Sequence, residues 1–299
     1  MTRIRANGID IEYDTFGNPA DRPLLLIMGL GAQMIHWDEA FCRALADAGH
    51  FVVRYDNRDT GLSTRFDAAG VPDIVQIMTK FRAGEPTEAP YDLDDMADDA
   101  AGLLDALDLV SAHVCGASMG GMIAQALALR HRPRVRSLVS IMSSTGNPDL
   151  PPGKPEALAA LMSPAGETGE AVVERSLAVS RVIGSPGFPR DEAEIRRKAL
   201  LAFDRAFYPV GVARQMAAVA AHGNRRPRLE ALSLPSLVIH GADDPLVPLA
   251  GGIDTHQALA GSRLLVIEGM GHDLPRGAWP QIVTAIAKST AQAEHARAA

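Results

Sequence analysis

Cysteine is almost absent from this chain of 299 residues: only Cys42 and Cys115 occur. Two thiols cannot make a disulfide framework, and a reducing compartment, the cytoplasm, is the simpler expectation. Long apolar runs are missing too. The longest strictly apolar stretches are about six residues, such as Ala157 to Met162, against the roughly 18 needed to cross a bilayer. Arg3 and Arg5 near the start are followed by no apolar segment, so no signal peptide and no membrane association are expected. There is no basic excess. With 29 Lys and Arg against 36 Asp and Glu the net charge is −7, and the densest basic clusters, 196–198 and 225–228, are short. A protein that holds nucleic acid by neutralising phosphates needs a basic face, so that class is excluded. Neither a Cys-x-x-Cys nor a His-Glu-x-x-His, calcium-loop or phosphate-loop motif occurs, so no metal or other cofactor is expected. Aromatics make up only 5% of the residues.

What is present is enough apolar sequence, 47%, to build a core without staples. The 27 glycines and 20 prolines imply many short elements joined by tight turns. Ile4 to Phe16 alternates weakly about Asn7-Gly8, the pattern of a two-stranded hairpin. Beyond it, the continuous apolar run at 24–28 reads as a strand covered on both faces, and 51–55, 113–116 and 135–142 read as further strands. Helical spacing at 36–48, 94–107 and 119–131 alternates with them, which argues a mostly parallel sheet of about eight strands flanked by helices. The aspartates at 92, 94, 95, 98 and 99 crowd the start of the second of these helices, where carboxylates favour the helix dipole. The rhythm stops after Ser143. Residues 146–230 hold Pro- and Gly-rich loops and helical patterns near 167–182, 191–207 and 209–221. Strands return at 237–240 and 264–267, with helices at 251–259 and 276–290. The expected organisation is one α/β core, 1–145 and 231–299, interrupted by a helical insertion at 146–230.

The chemistry concentrates in loops after strands. Gly116-Ala117-Ser118-Met119-Gly120 lies between a strand and a helix, the setting of a nucleophile elbow, where a serine hydroxyl projects at a helix N-terminus. Serine needs a base, and the base needs a carboxylate to orient it. His272, in Gly269-Met270-Gly271-His272, follows the last strand, and Asp243-Asp244 follows the strand before it. Spacing alone does not choose between the two aspartates. The other histidines read otherwise: His240 as a core residue inside a strand, His36 as a surface helix start near the first glycine loop, with lining of the pocket as the alternative. That loop, Met28-Gly29-Leu30-Gly31, can supply the Leu30 N–H to act with that of Met119 as oxyanion donors. Gly29-x-Gly31 is not a dinucleotide fingerprint, because position 34 is Met34 rather than a third glycine. The turn formers of 56–63 read as structural, with Arg58 in a salt bridge below the site.

Taken together, these motifs resemble the α/β-hydrolase family over nearly the whole chain. The Met-Gly form of the oxyanion loop, the 54–63 run and the Gly-Met-Gly-His-x-Leu-Pro ending resemble the bacterial esterases related to aclacinomycin methylesterase. The resemblance implies that Asp244, the acid before proline, completes a triad with Ser118 and His272, that Leu30 and Met119 form the oxyanion hole, and that 146–230 is a cap. Met28 stands where the family usually carries histidine. The expected activity is hydrolysis of a small or medium-sized carboxylic ester through an acyl-enzyme. A lactonase, a C–C bond hydrolase and a ligand-binding protein that keeps the hydrolase fold are the alternatives. Met142, Phe203 and Phe207 are the candidate substrate contacts, and the molecule is expected to be a monomer or homodimer.

Overall fold

A computed structural model describes residues 2–85 and 87–298. Residues 1, 86 and 299 of the expected core lie outside the described residues. Strands β1 (Thr2–Ala6) and β2 (Ile9–Phe16) form a hairpin, and Asn7 and Gly8 at its tip both take positive φ (46° and 75°), as a type I′ turn requires. β2 pairs antiparallel with β4 (His50–Tyr55); β3 (Arg22–Ile27), β5 (Ala112–Ala117), β6 (Val135–Ile141), β7 (Ser236–Gly241) and β8 (Arg263–Ile267) extend the sheet in parallel. The eight strands run in the order β1-β2-β4-β3-β5-β6-β7-β8.

β3 explains why its run is apolar without alternation. Leu25 and Ile27 face a core shared with α3 (Leu93–Ala106) and α4 (Met119–Arg130), while Leu24 and Leu26 face a second core under α1 (Glu39–Asp47) and α11 (Trp279–Ala298). α10 (Leu249–Ala258) connects β7 to β8. Capping sets several boundaries. The Asp38 carboxylate accepts the Ala40 N–H, so the helix expected from residue 36 starts at Glu39 and a single 3₁₀ turn precedes it. Asp92 and Asp95 form a reciprocal capping box that starts α3. Ile282 and Ile286 anchor α11 on the sheet, and it runs to Ala298, past the expected end at 290, with Thr290 bonded to His50 and Glu294 paired with Arg136 and His113.

Outside the insertion one helix was not evident from the sequence, α2 (Ile74–Arg82), whose buried Ile77 packs on Ala217 and Ala220; within it, the short helices at 155–161 and 226–230 were not singled out either. Between β6 and β7 the described residues form five helices and no strand: α5 (Pro155–Leu161), α6 (Gly169–Ile183), α7 (Glu192–Ala206), α8 (Val210–His222) and α9 (Arg226–Glu230). They lie over the C-terminal ends of the parallel strands, where the glycine-framed loops gather. Among the described residues no helix is long and apolar enough to cross a membrane.

Candidate active site

Ser118 follows β5 and caps α4 with φ 56° and ψ −122°, a conformation costly for a residue with a side chain. The turn tolerates no bulk around it. A Cβ on Gly116 would collide with the Gly120 carbonyl, and one on Gly120 with the Ile27 carbonyl. Glycine at both positions lets the elbow close against β3. Ser118 thereby sits at the first turn of α4, whose leading N–H groups have no partner within the helix. Met119, the first helical residue, is one of these.

His272 and Asp244 reach the same point from the ends of β8 and β7. His272 Nε2 lies 3.0 Å from Ser118 Oγ, and its Nδ1 lies 2.7 Å from Asp244 Oδ2. The other oxygen of Asp244 accepts the N–H groups of Leu246 and Val247, both at 2.9 Å. Asp243 points elsewhere. Its carboxylate accepts the Gly269 N–H at 2.9 Å and its own N–H donates to Met270 O, so it ties the acid loop to the histidine loop. His240 is fully buried, its Nε2 at 2.8 Å from Val247 O, and burial lowers its pKa.

The loop at 28–31 packs directly on the elbow: a Cβ built on Gly29 would lie 3.1 Å from Ser118 Cβ. Its peptides are pinned one by one. Asn57 donates to Met28 O at 2.9 Å, Ala32 N–H donates to Gly29 O at 3.3 Å, and Gly31 N–H donates to Gln215 Oε1 at 2.8 Å. With the Gly29 carbonyl turned to Ala32, the Leu30 N–H on the same peptide faces the other way. Asp56 fixes the following residues by accepting the Met34 N–H at 2.8 Å and is itself paired with Arg205 at 2.7 Å. The loop and the residues that follow it are thus braced by Asn57, Asp56, Arg205 and Gln215. Sequence reasoning passed over all four as braces of this loop, because Arg205 and Gln215 come from α7 and α8, far along the chain.

The inserted helices also hold the histidine loop. His272 N–H donates to Ile183 O at 2.7 Å, Gly271 N–H to Ser185 Oγ at 2.9 Å, and the Ser185 hydroxyl bonds the Asp273 carboxylate. Burial pushes the Asp273 pKa up. Beneath the site Arg58 forms a buried two-pronged pair with Asp99 at 2.6 and 2.8 Å, and Arg214 of α8 grips Asp59 in the same way at 2.8 and 2.9 Å.

A cleft of about 360 Å³ opens between α6, α7 and α8 and the turn at 59–61, with Gly31 on its wall. Phe203 and Phe207 line it, their ring centroids 5.0 Å apart. His36 lines it as well, its Nδ1 3.1 Å from Gln33 O. Met142 is placed differently, buried at the end of β6 with its N–H donating to Ile239 O. Among the described residues no cluster of His, Cys, Asp or Glu could hold a metal ion.

The chain resembles known proteins along its length. It is 32% identical to rhodomycin D methylesterase DauP of Streptomyces sp. (strain C5), covering 96% of this chain and 97% of that one. It is also 32% identical to rhodomycin D methylesterase DnrP of Streptomyces peucetius, covering 97% and 98%. Among solved structures, a meta-cleavage product hydrolase from Pseudomonas fluorescens IP01 superposes with a TM-score of 0.75 at 20% identity over 98% of both chains. The sequence profile of the alpha/beta hydrolase fold matches residues 22–275. With that match and full-length relatives above 30% identity, the chain belongs to the α/β-hydrolase fold family.

Proposed function

We propose that this chain is a carboxylester hydrolase that works through a Ser118–His272–Asp244 triad, with residues 146–230 as its cap. The observation that carries the reading is the unbroken relay at the elbow, 3.0 Å from Ser118 Oγ to His272 and 2.7 Å from His272 to Asp244. The two methylesterase relatives favour a methyl ester as the bond cleaved.

In this mechanism His272 Nε2 takes the Ser118 proton as Oγ attacks the ester carbonyl. Asp244 holds the imidazole by Nδ1 and stabilises the imidazolium. The N–H groups of Leu30 and Met119 receive the oxyanion at the helix N-terminus. Collapse of the tetrahedral intermediate expels the alcohol, which takes its proton from His272, and leaves an acyl group on Ser118. Water, deprotonated by His272, then releases the acid. The strained, pre-set elbow and the pinned oxyanion loop mean that no donor has to be assembled during the reaction.

The test is a fluorophosphonate probe with peptide mapping, followed by turnover of methyl esters, a lactone and a vinylogous diketone. Labelling at Ser118 with ester turnover, both lost in Ser118→Ala, is the expected result. An unlabelled Ser118, or Ser118→Ala with normal ester turnover, would overturn the proposal; faster turnover of the lactone or diketone would replace the substrate class.

A further inference from the structure

Most arginines of the inserted helices face a carboxylate. Arg181 pairs with Glu192, Arg196 with Glu170 and Glu174, Arg197 with Glu194, Arg205 with Asp56, and Arg214 with Asp59. Arg175 breaks the pattern. It is half-buried on α6, it lines the cleft, and among the described residues no carboxylate lies within ion-pair distance of it. Its Nε and Nη2 donate to the carbonyls of Ser163 and Leu161, both at 2.9 Å, which fixes the guanidinium plane against the end of α5. Its Nη1 makes no hydrogen bond among the described residues. Desolvation alone lowers its pKa, with no acidic neighbour to offset it. Arg225 also lacks a carboxylate, but its guanidinium is enclosed by Gln125, His222, Gly223 and Ser144 and lines neither this cleft nor the shallower one beside Asp98.

A cation partly withdrawn from water and without a counter-ion favours a ligand that brings one. The remaining charge on the cleft wall does not supply it. Asp59, the acidic side chain there, is already taken by Arg214, and the other polar groups beside Arg175, Ser163 and Ser176, are uncharged. Gln33, His36, Thr60 and Tyr208 add polar groups elsewhere on the wall, Phe203, Met216 and Val212 give it an apolar side, and Gly31 joins it to the loop that packs on Ser118.

We propose that Arg175 is a specificity determinant that binds an oxyanionic substituent of the substrate, so that the preferred esters carry a carboxylate or ionised enol remote from the bond cleaved. The inference rests on the esterase reading and deepens it. The scissile carbonyl lies at Ser118, the apolar body passes Gly31 into the cleft, and the anion meets the free edge of a guanidinium already oriented by two carbonyls. The anionic group is a spectator: hydrolysis adds water across the ester and leaves it unchanged.

The experiment compares half-methyl esters of dicarboxylic acids with methyl esters of monocarboxylic acids of the same chain length. The wild-type enzyme is expected to favour the anionic member of a pair at least tenfold in kcat/KM. That preference should fall at least tenfold in Arg175→Gln, mainly through KM, be partly kept in Arg175→Lys, and shift toward amine-bearing esters in Arg175→Glu. An anionic-to-neutral ratio that is the same in wild type and Arg175→Gln overturns the proposal. Should the variants not fold, inhibition of the wild type decides: a dicarboxylate must inhibit at least tenfold better than its diamide, and equal inhibition rejects the site. If Ser118 is unlabelled and no ester is turned over, the esterase reading fails separately. Calorimetric titration of wild type and Arg175→Gln with the dicarboxylate then tests the anion site, and no difference between them rejects it.

Discussion

Gln215 of α8 accepts the Gly31 N–H at 2.8 Å across 184 positions of sequence. Its amide nitrogen donates to Arg58 O and Thr60 Oγ1 at 2.8 and 2.7 Å, and the side chain is fully buried. One residue of the inserted helices therefore fixes the peptide next to Leu30. Gln215→Leu should lower kcat about 10- to 100-fold, less than outright loss of an oxyanion donor, and change KM little. It should also cost about 1–3 kcal/mol of stability by leaving buried partners unpaired. Gln215→Glu keeps the acceptor for Gly31 and should recover part of kcat. Steady-state kinetics beside urea unfolding separates the two effects; a Gln215→Leu enzyme with normal kcat would show that the loop does not depend on α8.

Asp243 and Asp244 are adjacent and chemically identical, yet only one touches His272. Asp244→Asn should lower kcat by about three to four orders of magnitude, because an amide favours the wrong imidazole tautomer and cannot stabilise its charge. Asp243→Asn keeps an oxygen to accept the Gly269 N–H, so kcat should stay within about threefold. Comparable losses in the two variants would mean that the acid is assigned to the wrong residue.

Much of the site was legible because its parts are local. Ser118, Asp244 and His272 each sit just past a strand in a short loop, and the elbow glycines leave a pattern within five residues. The hairpin and the parallel strands were legible for a similar reason, since β3 records burial on both faces in an unbroken apolar run. What was not legible depends on distant partners. Nothing around Gln215 in an alanine-rich helix announces that it holds Gly31, and nothing around Arg175 announces a cleft. α2 went unread because its buried anchor, Ile77, acquires an apolar partner only when α8 lies against it. The position of Met142 followed the same logic in reverse: its apolar character serves the end of β6 rather than the cleft.

Buried histidines set a stability limit on the acid side. His50, His113 and His222 all have pKa values lowered by burial, His113 from 6.5 to about 4. Above pH 6.5 both folded and unfolded forms hold these rings neutral. As pH falls below 6.5 the unfolded chain takes up protons that the folded one refuses, so stability declines, and for His113 the decline saturates near pH 4. Glu294, 3.0 Å from His113 Nε2, partly offsets the effect of burial on this ring. Urea unfolding at pH 7.0, 5.5 and 4.5 should show a falling midpoint. His113→Gln, which removes the titration and can still bond Ser137, should flatten the fall, and parallel curves for variant and wild type would discount His113 as its source.

Glycines of this chain separate by what surrounds them. Gly261 has φ 74°, and nothing lies within 4 Å of where a Cβ would stand, so Gly261→Ala costs only backbone strain, about 1 kcal/mol. Gly120 has an ordinary φ, but a Cβ there would strike Ile27 O and come within 2.8 Å of Met28 O, both backbone atoms, of β3 and of the 28–31 loop. Neither can swing aside as a side chain would. Gly120→Ala must push α4 from the sheet edge, which moves Met119 and Ser118 away from the Leu30 peptide together. The expected result is a kcat lower by at least about 100-fold, since misplacing reacting groups by about 1 Å costs that much. Gly261→Ala should retain wild-type kcat with a slightly lower melting temperature. Near-normal kcat in a folded Gly120→Ala enzyme would contradict the tight contact between elbow and oxyanion loop on which the mechanism depends.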